Sequence, residues 1–505
     1  MRPDAPDTPE THADEIPPDA PAADGTPLSL DQVRQRAVGG AAAVAIRGFA
    51  IQAAALGGNI VLARLLVPKE FGYAAFGLSL LAPLSFLVST GLGGAFIADR
   101  KAPSRADLQT LVAVQLAGAV VVSGVVAAIF APIGITGQVT AVMIASLPIM
   151  VLRTPGAVML ERDLVYRPLV AVEFVESAAF YAWAVTTAAL GWGVWSIATG
   201  AIARAVAGSA LMLAVGPVGP LWPSFSWQRA RHFLGYGTRV QSYFIVILVR
   251  DQILNVIIAT VGGLRMLGIW TVAGRLLQIP SLVFGSLNRV AFPAMSRLLS
   301  GDHDPRPFIE RAVILSAVAT GAVLVPLTGS APALIPALLG GKWTDAKLVV
   351  PWASAGLMVG GPITVAAGAF LWALRDTAPL KAIVLVSVTQ LAVSAALLPY
   401  FGITSLGLAW MAASTVDGIV LGTRARRRTG AALFRPLVLP IGVGAVAAGV
   451  GWFLASRSAT LVWAIVAAVA SEAIYLGVIA VVRRYLLLDV LRLFRQALGR
   501  DPATA

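Results

Sequence analysis

The chain has 505 residues, of which 58% are hydrophobic and only 12% charged, a composition too apolar for a soluble protein of that length. A net charge of +13 would suit a nucleic-acid partner, but the basic residues are dispersed over many short loops, which favours membrane topology and argues against nucleic acid. The sequence has no cysteine, which excludes disulfides, thiolate metal sites and a cysteine nucleophile.

The first segment, residues 1–36, combines Pro, Ala and scattered acids without an apolar run. Such a segment cannot bury enough apolar surface to become ordered, so we predict a disordered, acidic cytoplasmic tail. It also has no positively charged start followed by an apolar stretch, so no cleavable signal peptide is predicted and the first span should act as the insertion signal.

Apolar stretches of the roughly 20 residues needed to cross about 30 Å of hydrocarbon recur about fourteen times after the tail. All should be helices, because an open strand cannot satisfy its backbone hydrogen bonds in lipid. The predicted fold class is therefore an all-α polytopic membrane protein with about 14 transmembrane helices. The spans are predicted at 38–62, 71–98, 108–133, 139–159, 169–190, 194–215, 233–259, 267–292, 312–330, 348–374, 382–399, 405–421, 436–455 and 460–482.

The basic residues indicate the orientation of these spans. If the N-terminus is cytoplasmic, the loops that face outward hold only six of the 38 Lys and Arg, and most of the others lie in cytoplasmic loops, as the positive-inside rule requires. Both termini are therefore predicted to be cytoplasmic. The six outward residues are Arg64, Lys69, Arg265, Lys342, Lys347 and Arg457.

Two basic segments lie near the end of the chain. A cluster of four arginines at 424–428 is either a topological anchor or a site for membrane lipids. Residues 483–505 interleave Leu, Val and Phe with Arg, a pattern that indicates a short amphipathic segment on the cytoplasmic face of the membrane.

The two halves of the chain resemble each other weakly. Gly72 with Tyr73 in one half and Gly268 with Trp270 in the other each precede a mid-helix proline by about three turns, and a short charged loop follows. Parallel repeats of this kind build many secondary transporters, which bind substrate between the halves. A chance match between two helices rich in Leu, Ala and Gly is the alternative.

Seven arginines fall inside apolar spans, where each should face protein, water or substrate because an arginine at mid-bilayer costs about 2.5 kcal/mol or more. One of them, Arg153, lies near a span end and is expected to snorkel. Thr271, Arg275, Gln278, Ser286 and Arg289 share one helical stripe, which favours a water-filled cavity. The seven are Arg47, Arg153, Arg204, Arg239, Arg250, Arg275 and Arg289.

The arginines outnumber the acids in the spans, and a surplus of positive charge in a cavity suits an anion; guanidinium groups bind phosphate through a planar fork. We therefore predict Arg47, Arg204, Arg250, Arg275, Gln278 and Arg289 as the substrate-binding residues. Internal ion pairs are the alternative, for example between Glu176 and Arg204 or between Arg250 and an acid of a neighbouring helix. Glu173, Glu176, Asp251 and Asp417 are the candidates for coupling to H⁺ or Na⁺.

Signatures of an enzyme are scarce. The sequence has three histidines and no HExxH, Walker or GxSxG motif, and its largest outward loop, 331–347, is too short for a catalytic subdomain. No catalytic residue, metal site or cofactor is predicted. The protein is therefore expected not to be an enzyme.

Several motifs carry a family resemblance. The stretch LARLLVPKEFGYAAFGLSLL resembles the opening of polysaccharide or oligosaccharide flippases of the Wzx type, in the multidrug/oligosaccharidyl-lipid/polysaccharide (MOP) exporter superfamily. Further segments are similar to that family in the same order, over most of residues 37–421. They are RDQILNVIIATVGGLRMLGIWTVAGRLLQIP, VAFPAMSRL, ALLGGKWTDAKLVVPWAS and LWALRDT.

The resemblance implies two six-helix lobes, at 37–222 and 223–428, an alternating-access cavity between them, and two additional helices at 429–482. It also implies a substrate, a polyprenyl-pyrophosphate-linked oligosaccharide that is turned across the cytoplasmic (inner) membrane of a bacterium for O-antigen, capsule or exopolysaccharide synthesis. A polymerase and a chain-length regulator of the same pathway are the expected protein partners. Arg47 and Arg275 lie on spans where related lipid II flippases place cavity arginines, although no local match equates them.

The expected function is therefore a flippase whose cavity arginines bind the pyrophosphate while the prenyl tail stays in lipid. A multidrug extruder of the same superfamily is the alternative, and it should expose acids and aromatic residues to its cavity. A third possibility is a membrane scaffold or polymerase subunit, in which no single cavity arginine is needed.

Overall fold

The computed structural model describes residues 55–89, 103–163, 165–234, 242–300, 304–374 and 376–497. All regular secondary structure in these residues is helical, which confirms the predicted all-α class. The predicted tail at 1–36 and the start of the first predicted span lie outside the described residues.

The first half, described at 55–234 with the gaps given above, contains nine α-helices and a 3₁₀ helix at Ala131–Ile133. Gly134 and Gly193 adopt positive φ between consecutive helices, where the chain changes direction. The helices are α1 (Ala55–Leu65), α2 (Pro68–Ser89), α3 (Arg105–Phe130), α4 (Ile135–Ile144), α5 (Leu147–Val151), α6 (Thr154–Arg162), α7 (Tyr166–Ala189), α8 (Trp195–Val215) and α9 (Trp227–Leu234).

The second half contains eight α-helices in the described residues, together with a π-helical turn at Ile258–Gly262 and 3₁₀ helices at Gly341–Leu348 and Arg435–Leu437. Gly340, with a φ of 98°, ends the helix that precedes the first of these 3₁₀ helices. The helices are α10 (Ser242–Ile257), α11 (Gly263–Ser300), α12 (Arg306–Leu339), α13 (Val350–Ala373), α14 (Ala378–Phe401), α15 (Thr404–Thr429), α16 (Val438–Ala455) and α17 (Leu461–Ala497).

Eleven stretches of the described chain are long and apolar enough to cross a membrane, or twelve if a pair of helices bent by 53° counts as one span. The predicted number of fourteen is therefore not confirmed. The bent pair lies at α4–α6, where Pro148 and Pro155 interrupt the fourth predicted span. Two further features lower the count. The described part of α1 is too short to count as a span, and α10 and α11 count together as one apolar stretch, Val246–Gln278.

The largest buried cluster joins the two halves of the chain. It contains Leu62, Leu66 and Phe71 from the first half and Leu267 and Trp343 from the second. The indole Nε1 of Trp343, which is fully buried, donates to the carbonyl of Ala63 over 2.8 Å. We call this region, where α1, α2, α11 and the 3₁₀ helix that holds Trp343 meet, the Trp343 end of the bundle; the charge distribution predicts that it faces away from the cytoplasm.

The two glycines of the predicted repeat lie opposite each other at the Trp343 end. A β-carbon on Gly72 would overlap the carbonyl oxygen of Leu264, four residues before Gly268, and one on Gly268 would overlap that of Pro68, four residues before Gly72. The contact between α2 and α11 is thus reciprocal, as expected for two copies of one motif related by a pseudo-two-fold axis. Only glycine allows the two backbones to approach so closely.

The C-terminal helices pack on the outside of the second half. Helix α17 lies against α12 and α16, and the hydroxyl of Tyr475 reaches the carbonyls of Ala317 and Val318, 3.4 Å away in each case. The backbone of α17 continues without a break to Ala497. Residues 483–497 therefore extend the last helix, in contrast to the separate segment predicted from 483 onward.

Candidate central cavity

A cavity of about 670 Å³ lies mainly in the second half of the chain, lined by α10, α11, α13, α14 and α15, with α2 as its wall from the first half. We call it the first cavity. Its polar lining combines charged, amide and hydroxyl groups with the indoles of Trp270 and Trp410, whose ring centroids are 5.7 Å apart. The polar residues are Ser79, Arg250, Asp251, Gln252, Asn255, Thr271, Arg275, Gln278, Thr364, Gln390, Ser414 and Asp417.

Helix α11 brings the predicted stripe to this cavity, because Thr271, Arg275 and Gln278 all line it. The guanidinium carbon of Arg275 lies 6.0 Å from the ring centroid of Phe71, within the range of a cation–π contact. Phe71 in turn meets Trp343 edge-on, with ring centroids 5.0 Å apart. The cavity arginine is therefore connected by two aromatic rings to the Trp343 end.

Helix α10 contributes an arginine and an acid that bind each other. Nε and one terminal nitrogen of Arg250 donate to the same oxygen of Asp251, over 3.0 and 2.8 Å. The Asp251 side chain is 48% exposed and that of Arg250 is 19% exposed. Consecutive residues of a helix lie on adjoining faces, but the long arginine side chain bridges to its neighbour.

The opposite wall holds the other predicted acid of the cavity. Asp417, on α15, accepts a hydrogen bond of 2.5 Å from the hydroxyl of Thr364 on α13. Gln390, on α14, is nearly buried and also lines this wall. Sequence reasoning missed Thr364 and Gln390, although an amide or hydroxyl in the middle of a long apolar span is the signal that identifies such residues.

A second cavity of about 510 Å³ adjoins the first and shares Ala82, Leu248 and Asp251 with it. Its wall also carries Arg153, Thr154, Gln115 and Ser85. The charged residues described along the two cavities are three arginines, at 153, 250 and 275, and two aspartates, at 251 and 417. In the first cavity alone, the described arginines and aspartates balance.

Glu176 forms ion pairs with two of the predicted arginines. Its carboxylate, which is 3% exposed, binds the guanidinium of Arg153 at the bend before α6 and lies 3.6 Å from Nε of Arg204. Gly208 leaves the room that the carboxylate occupies, since a β-carbon there would overlap it. Arg153 therefore has a protein partner in addition to the expected solvent contact.

The remaining predicted residues lie away from the described lining. Arg204 and Glu173 line neither cavity, and Arg204 is half exposed beside Glu176. Arg47 and Arg239 lie outside the described residues. Arg289 belongs to α11, but its side chain is not among those described. The structure thus brings Arg250, Arg275, Gln278, Asp251 and Asp417 together around one cavity.

Comparison with solved structures identifies the class of fold. The lipid II flippase MurJ in its inward closed conformation matches with a TM-score of 0.67 and 11% identity, over 88% of this chain and 99% of MurJ. An inward-facing multidrug resistance MATE family transporter of the MOP superfamily matches with a TM-score of 0.56 and 14% identity, over 76% of this chain and 98% of the transporter. The chain has the fold of MOP-superfamily transporters, as the motifs predicted.

Residues 61–348 match the family of polysaccharide biosynthesis proteins, and the chain belongs to that family. The match begins in α1 and ends with the 3₁₀ helix Gly341–Leu348, so it includes Gly72, Arg275 and Trp343. No curated protein sequence matches the chain.

Proposed function

We propose that this protein is a flippase that moves polyprenyl-pyrophosphate-linked oligosaccharides across the cytoplasmic membrane of a bacterium, with both termini in the cytoplasm. The observation that carries the proposal is the placement of Arg275, with Arg250, on the wall of a cavity that the second half forms with α2, in a protein of the polysaccharide biosynthesis family. The proposed protein is a transporter and not an enzyme.

In this proposal Arg250 and Arg275 bind the pyrophosphate, since a guanidinium stays charged and offers two parallel donors to phosphate oxygens. The sugars occupy the water of the two cavities, and the prenyl tail remains in lipid. Gln278 adds a hydrogen-bonding amide on the same face of α11. Arg47 and Arg289 remain predicted substrate residues, whereas we assign Arg204 to the ion pair with Glu176.

Translocation then requires the two halves to separate at the Trp343 end and to close at the opposite end. Substrate shifts this equilibrium only by its differential affinity for the two states, so the arginines must bind the pyrophosphate better in an occluded form. Entry of H⁺ or Na⁺ at Asp251 or Asp417 is the proposed coupling step. A polymerase and a chain-length regulator would take the product onward.

The test is to deplete the protein and measure polyprenyl-pyrophosphate-linked oligosaccharide on the cytoplasmic face of the membrane. The flippase proposal expects this pool to accumulate and surface polysaccharide to disappear, and mass analysis of the pool would identify the sugar. Complementation with Arg275→Ala or Arg250→Ala should fail at normal protein levels, whereas Arg457→Ala, an outward-loop control, should succeed. Normal export by both cavity variants would refute the electrostatic mechanism.

The second candidate is an extruder of organic cations, because Asp417 and Asp251 share the first cavity with Trp270 and Trp410. Aromatic faces and carboxylates together bind cations. This candidate expects unchanged lipid-linked pools after depletion and greater sensitivity to cationic drugs. The same depletion experiment therefore separates the two candidates.

A further inference from the structure

The ion pair on α10 has an unusual arrangement for a membrane protein. Arg250 and Asp251 are consecutive residues, so their contact lies within one helix and ties α10 to no other helix. Glu176, in contrast, is on α7 and binds Arg153, which precedes α6, and Arg204 on α8. Loss of the Arg250–Asp251 contact would therefore release no contact between helices, which separates it from ion pairs that hold a fold together.

The carboxylate occupies the edge of Arg250 that suits a phosphate. Nε and the adjacent terminal nitrogen form the side of the guanidinium that donates two parallel hydrogen bonds, and both bonds go to one oxygen of Asp251. Because a phosphate group presents several charged oxygens to the same edge, it competes for the donors that Asp251 now uses.

The two side chains differ in their freedom to move. Arg250 is 19% exposed and lines the first cavity, whereas Asp251 is 48% exposed and lines both cavities. The carboxylate of Asp251 gains little from the pair, because water solvates a half-exposed charge nearly as well as the guanidinium does, whereas the largely buried Arg250 needs an anionic partner. Asp251 can therefore leave at small cost when another anion takes its place on Arg250, and it remains hydrated at the junction of the two cavities.

We propose that Asp251 occupies the phosphate position on Arg250 when no substrate is bound, and that the pyrophosphate of the lipid-linked substrate displaces it. The carboxylate satisfies the guanidinium of the empty transporter, lowers the affinity for substrate by competition, and returns to Arg250 when the product leaves. This role rests on the proposed function, because it requires a pyrophosphate ester as ligand.

The experiment measures binding of farnesyl pyrophosphate, with farnesol as the uncharged control, to the purified full-length protein in lipid nanodiscs. Asp251→Asn should bind farnesyl pyrophosphate about three- to fivefold more tightly, the factor that corresponds to the modest free energy of a half-exposed ion pair. Arg250→Gln should weaken binding about tenfold. Asp251→Asn should have no effect in the Arg250→Gln background, because the competition acts through that guanidinium.

The matched control is Asp345→Asn. Asp345 is 45% exposed and pairs with Arg265 at 3.2 Å outside the cavities, so the variant removes the same charge from an equally exposed carboxylate. It should leave binding unchanged. In cells, Asp251→Asn should bind substrate more tightly and yet export less polysaccharide, because the product is released more slowly.

The possible failures are distinguishable. If the wild-type protein binds farnesyl pyrophosphate no better than farnesol, the proposed function itself fails and the inference fails with it. If the wild-type protein binds and Asp251→Asn binds equally or less tightly, the displacement role is wrong and the flippase proposal stands. A gain that persists in the Arg250→Gln background also refutes displacement from that residue.

Discussion

The Trp343 end and the first cavity are built from the same two halves of the chain, but their chemistry differs. At the Trp343 end the buried contacts between the halves are made by backbone and neutral groups, with Gly72 and Gly268 at a close helix crossing and the indole of Trp343 on a carbonyl of α1. The exposed cations Arg64 and Lys342 add hydrogen bonds to backbone carbonyls around them. Around the first cavity, arginines, aspartates and amides of the second half line a space that α2 of the first half borders.

This difference shows how closure can be separated from substrate recognition. A contact made of glycine backbone and neutral hydrogen bonds can open and close without transferring a charge between water and protein, which would be costly. Charged groups lie in the cavity, where they meet water or substrate. Arg275, Phe71 and Trp343 form a continuous contact between the two regions.

The largest effect is expected from Gly72→Val and Gly268→Val. Either side chain would overlap backbone of the opposite helix, so the Trp343 end could no longer close and polysaccharide export should fall to background. Gly118→Val, on α3 where a β-carbon meets open space, is the control and should export normally. The measurement is export at matched protein levels in the membrane.

A labelling assay separates failed closure from failed folding. The chain has no cysteine, so a single cysteine at Ser79, on the wall of the first cavity, can be labelled without background. In the Gly72→Val protein an impermeant thiol reagent added outside should label this cysteine faster than in the parent. Normal export by Gly72→Val would show that the close crossing is dispensable.

A smaller effect is expected from Trp343→Phe, which keeps a ring beside Phe71 but removes the donor to the Ala63 carbonyl. A hydrogen bond of this kind contributes about 1 kcal/mol, so the outward-open population should rise about fivefold. The labelling rate at position 79 measures this population. Trp222→Phe, in an exposed loop, should not change it, and an unchanged rate in Trp343→Phe would mean that the hydrogen bond persists when the end opens.

Much of this architecture was predictable from sequence, because hydropathy and charge act locally. The apolar periods located the helices, and the repeat motif identified Gly72 and Gly268 before their contact was visible. The stripe with Thr271, Arg275 and Gln278 indicated a cavity because helix geometry fixes which residues share a face. The bend at α4–α6 was missed, although Pro148 and Pro155 marked it in the sequence.

The partners of the buried charges were less predictable, because they depend on contacts between distant segments. Glu176 and Arg204 were left open between an ion pair and a functional site, and the carboxylate also binds Arg153. Arg250 was left open between substrate binding and an ion pair with an acid of a neighbouring helix, and it contacts Asp251 of its own helix. Reach and rotamer choice of a long side chain decide such contacts, and helical spacing alone does not specify them.

Substitution of Asp376 tests whether the loss of a charge outside the cavity lowers stability and leaves transport unchanged. Its buried carboxylate accepts hydrogen bonds from the backbone NH of Ala378 and from Nε of Arg424, and it lies 2.7 Å from a terminal nitrogen of Arg428. Burial raises the pKa of Asp376, but these hydrogen bonds and the two positive charges outweigh it and hold the pKa below its ordinary value.

The sign of the pH dependence follows from this direction. A carboxyl group with a lowered pKa in the folded state stabilises the protein above its ordinary pKa of about 4, and this contribution is lost as the pH falls through the lowered value. Asp376→Asn should lower the melting temperature by about 1–3 °C at pH 7, because about 1–2 kcal/mol of the free energy of unfolding is lost. In acid the melting temperatures of the variant and the wild type should become nearly equal. Export should be unchanged, and a large loss of export would contradict a purely structural role.

The smallest effect is expected from Arg64→Gln, and it is most informative beside Arg275→Gln. Arg64 is an exposed residue at the Trp343 end, where Nε donates over 2.8 Å to the carbonyl of Leu338 in the last turn of α12. Water can satisfy the exposed carbonyls when the guanidinium is removed, so the labelling rate at position 79 should change less than twofold and export should persist.

Arg275→Gln makes the same chemical change in the cavity and should abolish export, because a neutral amide cannot bind pyrophosphate as a guanidinium does. If both variants export normally, positive charge is dispensable in both regions and recognition must rest on the sugar. If Arg64→Gln fails as completely as Arg275→Gln, the Trp343 end depends on charge as much as the cavity does. The distinction between a neutral contact that closes the pathway and a charged cavity that recognises the substrate would then be wrong.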